Sequence, residues 1–84
     1  AVREELQKAV DLALAGDRES AHEIAQQHEG DPIANWIHAV VHRMEGDLEN
    51  ARYWYGKCGR TLDPDRTTES ELRAVQKELE AEMP

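Results

Sequence analysis

The chain has no phenylalanine, a single cysteine, three prolines and no stretch of apolar residues approaching 18. Each scarcity excludes something. One thiol, Cys58, cannot close an intrachain disulfide, so a disulfide-stapled scaffold is out and a reducing cytoplasm is the expected compartment. The missing apolar run leaves nothing to cross a bilayer as a helix. Basic residues are also short, ten against 18 acidic, for a net charge of −8, and such a surface repels phosphate backbones and anionic lipid. Neither nucleic acid nor membrane is an expected partner. No segment alternates polar and apolar residues as a half-buried strand would. No Ser/His/Asp arrangement, phosphate-cradling glycine loop or carboxylate pair is readable, so a non-catalytic protein without a cofactor is expected.

What is present is helical pattern. Leu6, Ala9, Val10, Ala13 and Leu14 fall on one face of a helix over about residues 2 to 15, which Gly16 ends. Asp17 caps the next helix, with Ala21, Ile24, Ala25 and His28 as its inner face, and Gly30 ends it. Asp31-Pro32 reads as N-cap and first turn of a third helix to about Glu45, carrying Ile33, Trp36, Ile37, Val40, Val41 and Met44 as one broad stripe. Gly46-Asp47 repeats the break, and a fourth helix, about 48 to 59, turns Leu48, Ala51, Tyr55 and Cys58 inward. After a linker at 60 to 67, Thr68 and Glu71 read as the capping box of a last helix, 68 to 82, with Leu72, Val75 and Leu79 on one side.

The expected fold is therefore all-α, one domain of about five helices: hairpins at 2 to 29 and 31 to 59, then a C-terminal capping helix. At an offset of 30 residues, Ala9/Ala39, Val10/Val40, Gly16/Gly46, Asp17/Asp47, Glu19/Glu49 and Ala21/Ala51 are identical, as tandem hairpins would give. An aromatic and small residues on one helix, a Gly-Asp turn, then Ala51, Tyr55 and Pro64 resemble a tetratricopeptide-type unit over about residues 5 to 64. That resemblance implies a short helical array that binds a protein or peptide in its groove. Two units are few for such an array, which leaves homodimerisation open as a supplement to the small core. The run HAVVHRMEGDLENARYWYGKCG also resembles a group of small helical proteins sharing this hairpin, and that resemblance carries no activity with it.

The residues from Asn35 to Tyr55 hold all four aromatic side chains and two of the four histidines. His38, His42 and Glu45 project from one side of a helix and read as a polar face with ordinary hydrogen bonds, with no metal expected; a shared divalent metal is the alternative. The zincin signature is absent, because Ala39 stands where Glu would follow the first histidine. Arg43 beside His42 is placed to grip a carboxylate or phosphate, while Asp47 and Asn50 read as capping. Tyr53 points outward and Trp54 lies on the flank of the helix, so both are candidate partner anchors. His22 and His28 form no pattern. The leading expectation is an interaction module for a protein or peptide, and its rival is a small-ligand, metal-binding or hydrolytic site at His38, His42, Arg43 and Glu45.

Overall fold

In a computed structural model, which describes residues 1 to 82, the chain forms five α-helices and, among those residues, no strand. They are α1 (Val2–Leu14), α2 (Arg18–Gln26), α3 (Pro32–Met44), α4 (Leu48–Lys57) and α5 (Thr68–Glu82). None is long and apolar enough to cross a membrane.

The helix boundaries follow from local chemistry. Gly16 and Gly46 take φ of +92° and +82°, a left-handed conformation that side chains disfavour, and so let the chain leave α1 and α3 abruptly. Immediately afterwards the Asp17 and Asp47 amides donate back to the Leu12 and His42 carbonyls at 2.8 and 2.9 Å. Their carboxylates then accept the Ser20 and Asn50 amides at 3.1 and 3.3 Å, satisfying donors that a helix start leaves free. The two turns thus match in geometry as well as in sequence. Asp31 caps α3 by accepting from Ile33 and Ala34, with Pro32 in the first turn where its missing N–H costs nothing.

Consecutive helices pack as hairpins, α1 on α2 and α3 on α4, with α2 against α3 joining the pairs. Alanines hold the α1/α2 contact close: Ala9, Ala13, Ala21 and Ala25 are all buried. The third helix is central, touching α1, α2, α4 and α5. Every residue from Ile33 to Val41 is buried, so the expected single stripe is in fact burial on all sides. Two polar side chains, Asn35 and His38, are carried inside with it. A helix so enclosed is the natural centre of a chain too short for a thick core.

α5 is a docked element, with Leu72, Val75 and Leu79 at 1% exposure or less. It lies on α1 and α3 rather than over α4, and so occupies the face between the first helices of the two hairpins. Two expectations are corrected here. Leu48 does not turn inward but is 42% exposed at the first position of α4. Glu71 is no capping residue, because Thr67 caps α5, accepting the Ser70 amide on Oγ1 at 3.1 Å. Glu71 instead points into the core, where Oε1 accepts from Trp36 Nε1 at 2.9 Å and from the Tyr55 hydroxyl at 2.5 Å. Oε2 takes Arg43 Nη1 at 2.9 Å. Both oxygens of this buried carboxylate are thereby engaged, and α3 and α4 are tied to α5.

Candidate metal centre

α3 carries His38 and His42 one turn apart on the side that faces α2, and α2 presents His22 to meet them. Nε2 of His22 lies 2.8 Å from Nε2 of His38, so one ring donates its proton and the other accepts. The ring centroids are 4.5 Å apart for His22 and His38, 5.0 Å for His22 and His42, and 4.9 Å for His38 and His42. One nitrogen from each ring falls within 4.8 Å of the other two, and no other Cys, His, Asp or Glu among the described residues joins the group.

The surroundings fix the rings. From α4, Trp54 lays its indole on His38 at 3.9 Å between centroids and 16° between planes. His42 Nδ1 faces two carboxylates at ion-pair range, Glu45 Oε1 at 3.3 Å and Asp47 Oδ2 at 3.8 Å. Asp47 is itself held by Asn50, whose side-chain amide donates to Oδ2 at 2.7 Å. The Asn50 side chain first, and its backbone N–H second, lower the Asp47 pKa and keep it an anion. Asp47 and Glu45 therefore place negative charge beside the His42 ring, whose Nδ1 is buried without a hydrogen-bond partner.

His38 is 2% exposed, and its pKa is depressed to about 4. Burial is the main cause, followed by repulsion from His22 and His42. It is neutral at physiological pH, with lone pairs available for coordination. Its Nδ1 is buried without a hydrogen-bond partner, so the protein alone does not satisfy this side chain. Three imidazole donors suit zinc, copper, nickel or cobalt rather than magnesium or calcium. With metal–nitrogen bonds of about 2.0 to 2.1 Å, tetrahedral ligand nitrogens stand roughly 3.4 Å apart. The present span, 2.8 Å at the His22–His38 contact and no more than 4.8 Å overall, brackets that value.

Of the residues singled out in the sequence, His38, His42, Glu45, Asn50 and Trp54 come together here. Arg43 does not: one position past His42 it points to the opposite side of α3, pairing with Glu71 and donating to the Arg66 carbonyl. Its carboxylate partner is internal. Tyr53 is 56% exposed, its ring edge-on to Trp54 with Lys57 over its face, and touches none of the histidines. His22 is the ligand candidate that sequence spacing missed, since it lies 16 residues from His38 on another helix. Comparison with protein-family models, with curated proteins and with solved structures finds no match, so the reading of this site rests on its own geometry.

Proposed function

We propose that this domain binds a transition-metal ion, zinc foremost, through His22, His38 and His42. The observation that carries the reading is the convergence of three imidazoles from two helices, with buried ring nitrogens on His38 and His42 that no protein group satisfies. The interaction-module reading finds less support, because α5 fills the face between α1 and α3 where a peptide would lie. The remaining surface clefts are small and ringed by charged residues such as Arg18, Glu45, Arg60 and Arg66.

The test is metal analysis and thermal melting of protein purified without a histidine tag. At free zinc 100 times Kd, binding to the folded state alone adds about 2.7 kcal/mol, a rise of roughly 10 to 20 °C in Tm for a domain of this size. The His38→Ala, His42→Ala double variant should lose that rise while remaining folded. Zinc-independent melting of the parent protein would sink the reading.

A further inference from the structure

On the Arg43 side of α3, the end of α4 and the linker that follows it frame two clefts. One, of about 200 Å³, is lined by Arg52, Tyr55, Gly56, Arg60, Thr61 and Leu62. The other, of about 320 Å³, is lined by Trp36, Gly59, Arg60, Thr61, Arg66 and Glu71. Arg60 and Thr61 belong to both, so the two are lobes of one depression. The first lobe has two arginines and no carboxylate. In the second the lone carboxylate is Glu71, whose oxygens are already engaged by Trp36, Tyr55 and Arg43. A chain of net charge −8 thus gathers three arginines around one depression whose single acid is occupied.

The fold itself places these cations. Gly59 turns at φ +72° and the Arg60 amide donates to the Tyr55 carbonyl at 2.8 Å, which fixes where residue 60 leaves α4. The Arg60 guanidinium lies 3.5 Å from the centre of the Trp36 ring, a contact made through its face that keeps its N–H donors at the edge. Its Nη2 meets Glu78 at 3.1 Å, but the two side chains are 38% and 46% exposed, so that pair competes weakly. Arg43 donates to the Arg66 carbonyl and so ties the linker to the buried Glu71 network. Among the described residues, Arg52 and Arg66 make no ion pair. The linker's own acids, Asp63 and Asp65, line neither lobe, and Asp63 turns back to accept the Asp65 amide at 3.0 Å. Like charges collected in this way repel one another, and a bound anion relieves the repulsion.

We propose that this depression binds a small phosphate anion, held by Arg52, Arg60 and Arg66, as a second site apart from the three histidines. The inference stands independently of the metal reading. Charge selects phosphate over a monocarboxylate, because a dianion with several acceptor oxygens satisfies more than one guanidinium fork. Either lobe is many times the roughly 30 Å³ that a water occupies. The acidic surface excludes an extended polyanion but not one phosphate: exposed carboxylates are screened over a Debye length of about 10 Å in roughly 0.1 M salt, while the arginines act at hydrogen-bond distance. Binding makes and breaks no covalent bond.

Nitrogen-15 NMR of the chelator-stripped full chain locates the ligand. Backbone amide and arginine Nε–H signals are followed during titration with inorganic phosphate and, in parallel at the same ionic strength, with acetate. The expected result is a saturable shift at Arg52, Arg60, Thr61 and Arg66 with phosphate, and a much weaker response to acetate. Arg52→Ala and Arg66→Ala should each weaken phosphate on the order of tenfold, one charge-assisted hydrogen bond's worth, with the rest of the spectrum unchanged because neither side chain is ion-paired. Lys8→Ala removes the same charge from α1, which has no contact with α4, and should leave phosphate affinity as it was. Shifts that do not saturate, or that acetate matches, show screening alone and overturn the inference. Saturable binding that shifts the histidines instead, or that survives both arginine substitutions undiminished, overturns it as well.

Discussion

Single side chains decide two features of this protein. Glu71 is a buried carboxylate whose three partners come from α3 and α4, and its removal leaves Arg43 as an unpaired, nearly buried cation. Breaking a buried pair in this way typically costs about 3 to 5 kcal/mol, a large share of a small domain's stability. Glu71→Ala should therefore lower the urea midpoint severely, and a loss under about 1 kcal/mol would show that the network is slack. His38 gives a pH signature. Its folded pKa of about 4 lies below the ordinary 6.5, so the unfolded chain binds more protons between those values. Stability present above pH 6.5 is accordingly lost as pH falls toward 4. Urea melts of chelator-stripped protein at pH 7 and pH 5 should show the decline, and His38→Gln should flatten it. A pH-independent midpoint in the parent protein would remove the basis for calling this imidazole buried and neutral.

Elements were more legible than contacts. The five helices and their turns could be read from Gly-Asp, Asp-Pro and apolar spacing because those signals act within one or two turns of chain. Glu71 misled because the cap of α5 sits one residue earlier, at Thr67, whereas Leu48 is exposed although its cap, Asp47, is the expected one. Arg43 and His42 are neighbours in sequence and partners of opposite sides of the molecule, a separation that only the position of α5 reveals. The same long-range reason hid His22, since pairing between helices is not encoded in spacing along either one. At this scale the decisive test is α5 itself. Its three buried apolar residues each contribute about 1.5 to 3 kcal/mol, and Glu71 adds its network. Ending the chain after Thr67 bares α1 and α3 together, so light scattering should show aggregation and circular dichroism a loss of helix; a monodisperse, fully helical product would refute the docked arrangement.

At the scale of the whole molecule, α3 is the common neighbour of every other helix, and no subset of the fold has a core without it. Trp36 is at its centre, 3% exposed, with the Arg60 guanidinium 3.5 Å from its ring and its N–H on Glu71. Trp36→Ala should cost about 3 to 5 kcal/mol and unfold the chain as one unit, read as coincident loss of helix and of tertiary signal in denaturant. The stacking of Trp54 on His38 has an optical corollary. Of the chain's two indoles, one is sealed in the core and the other rests on an imidazole of the metal cluster, so their emission reports on different events. A paramagnetic ion such as copper(II), bound at ring-contact distance, quenches the second indole and spares much of the first. In a Trp36→Tyr background that retains its fold, the lone remaining fluorophore becomes a meter for occupancy of the three-histidine centre, legible in a cuvette without label or tag.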